Sequence, residues 1–171
     1  MESNKTRSGD WSPPTDWVGF INWAMLDDEE ATEYLRVFSG YCLTGEASQE
    51  CFAIAQGDPR CGKSTWVESI ASILGEDMSI SILFQDLCYG KNGAPARYDT
   101  GRMPGKRVVR TSESSKNAVL DEGLICSWVG GEDVRGRAIY AAPMDFKPVF
   151  KLLMSMNGRP RINPDRRETG I

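Results

Sequence analysis

The sequence contains no histidine. That excludes a Ser-His-Asp triad and histidine acid–base catalysis within these residues. The five cysteines, Cys42, Cys51, Cys61, Cys88 and Cys126, are odd in number and form no Cys-x-x-Cys pair. This argues against a zinc site and against a disulfide framework. No stretch approaches the ~20 apolar residues that a membrane span needs. The polar start, residues 1–10, lacks a secretory signal, so the expected compartment is the reducing cytoplasm, away from membranes. Cationic excess is lacking too, because the formal net charge is −4. The balance is uneven: residues 1–146 carry 14 basic and 22 acidic side chains, and residues 147–171 carry 6 and 2. Contact with nucleic acid would therefore need a local basic element.

What is present fits an ordinary soluble protein, with 171 residues, 40% hydrophobic and 26% charged. Residues 1–15 include Ser12-Pro13-Pro14 and read as a disordered lead. Residues 16–45 read as a helical segment. Asp16 is placed to cap a first helix, and Asp27-Asp28-Glu29-Glu30 suits the positive end of a second. Residues 46–171 read as an α/β core with a mostly parallel sheet. Cys51–Ala55 is a short apolar run, as a buried parallel strand requires. Lys63–Leu74 has helical spacing of Trp66, Val67, Ile70 and Leu74, with Gly75 closing it. Ser79–Phe84, Arg107–Ser112 and Phe150–Met156 read as further strands, and Leu120–Val129 as a helix. Residues 137–142 and 145–149 bracket Pro143 as a hairpin.

The sharpest signal lies between the first strand and the first core helix. Gly57-Asp58-Pro59-Arg60-Cys61-Gly62-Lys63-Ser64 matches G-x-x-x-x-G-K-[ST] at every fixed position. Glycines there let backbone N–H groups approach phosphate oxygens, and a helix N-terminus adds partial positive charge. Lys63 is expected to reach the β- and γ-phosphates of ATP, and the Ser64 hydroxyl to ligate Mg²⁺. Thr65 supports the same end of the site. Hydrolysis needs a carboxylate at a neighbouring strand end, and Glu113 after Arg107–Ser112 occupies that position. It is the second expected Mg²⁺ contact. Asn157, at the end of the last apolar strand, can reach the γ-phosphate or orient water.

Taken in order, these segments resemble the superfamily 3 helicase domain of phage and plasmid primases, an AAA+-related P-loop ATPase. The resemblance runs from about Asp27 to Ile171. Tyr34-Leu35 and Gly40-Tyr41-Cys42-Leu43-Thr44-Gly45 look like the helix and turn before that family's P-loop. Gly105 to Glu113 looks like its Walker B segment, which makes Glu113 the catalytic acid. Leu124 to Arg137 looks like its B′ segment, and Phe146 to Asn157 like motif C, with Asn157 as sensor 1. The resemblance implies single-stranded or forked DNA as a partner, with Arg135 and Arg137 touching phosphates. It also implies a homo-oligomeric ring and a separate primase. Arg110 departs from the family's small or apolar Walker B strand. The run that supplies the family's arginine finger would come after Ile171, so ATP binding is expected to exceed hydrolysis. Two other readings stand beside this one: a prophage remnant that binds nucleotide, or nothing, without useful turnover, and a P-loop kinase for a small molecule.

Overall fold

The computed structural model describes residues 16–89, 100–112, 118–136 and 142–162. The chain divides into two compact units, Met1–Tyr41 and Cys42–Ile171. In the first, α1 spans Trp17–Ala24 and α2 spans Glu29–Cys42, whose last residue falls in the second unit. The expected Asp16 cap forms, and the acidic start of α2 supplies a second one. Gly19 N donates to Asp16 Oδ1 and Ala31 N donates to Asp28 Oδ1. Each cap satisfies an N–H that the first turn leaves without an intrahelical partner. Trp17, Phe20 and Trp23 follow at three-residue spacing and their rings pack in sequence along α1.

The second unit is built on a four-stranded parallel sheet: β1 (Ala53–Gln56), β2 (Ser79–Ser81), β3 (Val108–Ser112) and β6 (Lys151–Met156). The order across the sheet is β1-β6-β3-β2. The last strand thus inserts between the first and the third, and every residue of β6 is buried. Strand alternation sends Leu152, Met154 and Met156 of β6 and Val109 of β3 into one apolar cluster. That cluster is closed by Ile125 and Trp128 of α4 (Glu122–Val129) and by Phe84 and Leu87 of a short 3₁₀ turn. Asp121 caps α4 through Leu124 N. The alternate residues face α3 (Lys63–Met78), whose Ser64 and Glu68 reach Ser155 and Arg110.

Several boundaries differ from the sequence reading. The helix expected to close at Gly75 does break there, with Gly75 non-helical at φ 68° and ψ 178°, but a further helical turn follows and carries α3 to Met78. Glycine adopts that positive φ without the Cβ penalty of other residues. The expected strand Ser79–Phe84 stops at Ser81, and Phe84–Leu87 coils into the 3₁₀ turn, where Phe84 and Leu87 are buried. β4 (Val134–Gly136) pairs antiparallel with β5 (Met144–Phe146), and residues 137–141 of the expected hairpin lie outside the described residues. Gly136 is required there, because a Cβ would stand 2.9 Å from the Phe146 ring.

Candidate functional site

All four strands run parallel, so β1, β3 and β6 end on one edge of the sheet. Two sequence features converge on that edge: the glycine-rich segment follows β1 and Asn157 follows β6. Glu113, next after β3 in the sequence, lies outside the described residues. Gly57 N donates to Met156 O at 3.4 Å, and Gln56 is in register with Met156. The first residue of the phosphate loop thus touches the residue before Asn157. Asn157 is exposed on this edge.

The loop has the features that an anion cradle needs. Gly62 is the N-cap residue of α3 at φ 95°, in the left-handed region, and no side chain caps the helix. The first N–H groups of α3 therefore remain available to an anion. Arg60 also has a positive φ, 67°, so the loop holds a strained turn at a non-glycine position. Gly57 is constrained by contact, since a Cβ there would lie 2.8 Å from Cys61 Sγ. Asp58, Pro59 and Arg60 are exposed, and Cys61 is half-buried. Lys63 folds over the loop. Its Nζ donates to Gly57 O at 2.8 Å and Asp58 O at 2.7 Å and lies 3.6 Å from Cys61 Sγ. Ser64 and Thr65, in the first turn of α3, are exposed. Ser64 Oγ lies 3.4 Å from Ser155 Oγ of β6.

These donors fit a magnesium–nucleotide complex. A helix N-terminus that no side chain caps among the described residues, a lysine bound to two backbone carbonyls beside the Cys61 sulfur, and an exposed serine are the groups a phosphate chain and its cation take up. Magnesium keeps several waters and takes one or two protein ligands beside phosphate oxygens, so it requires no dense carboxylate cage. Among the described residues no group of three or more His, Cys, Asp or Glu side chains could hold a metal ion.

Arg110 finds partners. Its Nε donates to Glu68 Oε1 of α3 at 3.0 Å, and its Nη1 donates to Ser79 Oγ of β2 at 3.1 Å. The departure from an apolar strand is therefore compensated by a tie between β3 and the phosphate-loop helix. Arg135, on β4, is exposed and in register with Asp145 on β5. Arg137 lies outside the described residues. Sequence reasoning missed Ser155. A lone hydroxyl in an apolar strand, two residues before Asn157, was the available signal.

No family model matches the chain. A candidate helicase of Acanthamoeba polyphaga mimivirus, L207/L206, is 28% identical over 150 residues, which are 86% of this chain and 15% of the viral protein. Among solved structures, the A form apo structure of the NrS-1 C-terminal region matches with a TM-score of 0.66 at 16% identity. It covers 84% of this chain and 33% of that one. A second apo structure of the same region gives a TM-score of 0.62, again at 16% identity, over 84% of this chain and 36% of that one. The chain therefore spans a small part of the viral relative and about a third of the solved chains. The structural likeness bears on the fold: an α/β domain with a parallel central sheet. Together with the helicase-named relative, it supports a helicase-related domain. No helix among the described residues is long and apolar enough to cross a membrane.

Proposed function

We propose that this chain is an ATP-binding domain of a DNA helicase of the phage and plasmid replication type, and that the loop from Gly57 to Thr65 holds the nucleotide phosphates. The observation that carries the reading is the junction of that loop with the end of β6, where Gly57 N meets Met156 O beside Asn157. The backbone N–H groups of the loop and of the first turn of α3 face the phosphate oxygens. The Lys63 ammonium exchanges its two carbonyl acceptors for phosphate oxygens, which are stronger, charged acceptors. Ser64 would supply a hydroxyl ligand to Mg²⁺, which would supply neutralisation of phosphate charge. Asn157 orients the attacking water and Glu113 takes its proton. Arg135 and Arg137 contact the phosphates of single-stranded or forked DNA, and neighbouring copies complete a ring.

Binding is tested with a fluorescent ATP analogue and Mg²⁺. The wild-type chain is expected to bind and to gain thermal stability with nucleotide, as a ligand specific to the folded state requires. Lys63→Ala is expected to weaken binding at least tenfold without lowering the melting temperature of the free protein. A wild-type chain whose melting temperature is unmoved by MgATP would instead match the inactive-remnant reading.

A further inference from the structure

Ser155 is the one hydroxyl residue of β6, in the run Lys-Leu-Leu-Met-Ser-Met. It is 7% exposed. Its backbone lies in register with Ala55 of β1 on one side and Ser112 of β3 on the other. Leu152, Met154 and Met156 enter the apolar cluster, so the pleat turns Ser155 to the opposite face, beneath α3. There its Oγ meets Ser64 Oγ at 3.4 Å. A hydroxyl in the buried centre of a sheet is costly without a partner. An alanine would fill this position more cheaply, as Ala55 does on the neighbouring strand.

The chemistry of Ser64 gives the hydroxyl a task. A serine that ligates a cation directs a lone pair at it, and its O–H hydrogen must point elsewhere. Without an acceptor that hydrogen rotates freely, and the lone pair is not fixed. Ser155 Oγ stands on the sheet side of Ser64 as such an acceptor. In the opposite arrangement, with Ser155 donating to one Ser64 lone pair, the second lone pair could still meet the cation but the Ser64 hydrogen would lose this acceptor. The separation is about half an ångström longer than a full-strength O–H···O bond, so a small movement closes it.

We propose that Ser155 is a positioning residue for the magnesium ligand: its Oγ accepts the Ser64 hydroxyl hydrogen and aims a Ser64 lone pair at the cation. The inference rests on the nucleotide reading of the phosphate loop. It also joins two parts of the site, because Ser155 and Asn157 sit two residues apart at the end of one strand. A shift of β6 that moves Asn157 would move the partner of Ser64 as well.

The test is a magnesium titration of fluorescent ATP-analogue binding to the full chain, with a parallel measurement in EDTA. Ser155→Ala is expected to raise the Mg²⁺ concentration at half-saturation about fivefold, the worth of one neutral hydrogen bond. Its affinity in EDTA should stay within about twofold of wild type. Ser155→Thr, which keeps the hydroxyl, should restore the wild-type magnesium dependence. Ser155→Cys fills the same space with a weak acceptor and should behave like the alanine variant; it carries the test if the alanine variant misfolds. A merely structural serine would change nucleotide affinity equally with and without magnesium, or not at all. Either result, in a wild-type chain that binds MgATP, overturns the proposal. A wild-type chain with no magnesium-dependent binding overturns the nucleotide reading itself, and the role of Ser155 with it.

Discussion

Lys151 is a lysine at 1% exposure in the central strand of the sheet. Its ammonium donates to Thr44 O at 2.7 Å and Glu46 O at 2.6 Å, which fastens the turn before β1 to β6. Arg107 does the same for Leu43 O at 2.6 Å. Burial pulls the Lys151 pKa down, and nearby Cys42, Glu46 and Cys51 pull it partly back. Cys42 is fully buried, and burial pushes its thiol from 9.0 up to about 12. Burial likewise raises Cys88 from 9.0 to about 11. In the unfolded chain both thiols ionise near pH 9, while in the fold they stay protonated. Their contribution to stability is therefore whole below pH 9 and lost as pH rises toward 11 and 12, by up to about 1.4 kcal/mol per pH unit for each. Lys151 acts in the opposite sense, because its depressed folded pKa makes the unfolded chain hold the proton longer. One group against two leaves a net loss. Urea midpoints are expected to fall as the pH rises from about 9 toward 11, where the two thiols outweigh the lysine. Cys42→Ala should flatten that fall, whatever its effect at neutral pH. An unchanged slope in the variant would refute this account of Cys42.

At the scale of elements, the phosphate-loop helix is tied to the sheet by two polar contacts: Ser64 with Ser155, and Glu68 with Arg110. The Glu68 side chain is 61% exposed and that of Arg110 21% exposed, so solvent screens their ion pair. Glu68→Gln is expected to cost less than about 1 kcal/mol. Arg110→Ala also removes the bond to Ser79 and the packed stem, and should cost about 1–2 kcal/mol. Equal losses in urea denaturation would mean that the ion pair alone matters. This tie could not be read from the chain, because Arg110 and Glu68 meet only after β3 is placed beside β2. The glycine-rich loop was legible because its chemistry is local: eight consecutive residues fix a turn, an uncapped helix start and a lysine. The strands β3 and β6 were legible as apolar runs, but their order was not. Nothing in Lys151–Met156 says that this strand enters between β1 and β3. That insertion is what brings Asn157 to Gly57 and Ser155 to Ser64. The break at Gly75 was legible, since glycine alone adopts that positive φ cheaply, while the extra turn to Met78 beyond it was not.

For the molecule as a whole, the sequence suggested a basic end section, and the fold redistributes it. Of the cations in residues 147–171, Lys151 is inside the sheet and bound to carbonyls, so it adds nothing to a surface field. Lys147, Arg159 and Arg161 are exposed, and Arg166 and Arg167 lie outside the described residues. With a net charge of −4, long-range attraction to DNA is weak, and binding would depend on a few placed cations. Arg135 on β4 is the exposed cation proposed for that contact, although Asp145 of β5 stands opposite it and reduces its local field. Each phosphate contact with a single strand contributes about 0.7 to the slope of log affinity against log salt. Arg135→Ala is therefore expected to lower that slope by about 0.7 and to weaken binding evenly across sequences. The comparison is made by anisotropy with single-stranded oligonucleotides from 50 to about 200 mM salt. Lys63→Ala serves as a control, since its ammonium is held within the phosphate loop and should leave the slope unchanged. A slope unaffected by Arg135→Ala would remove this hairpin strand from the DNA contact and leave the exposed cations after β6 as the surface to test.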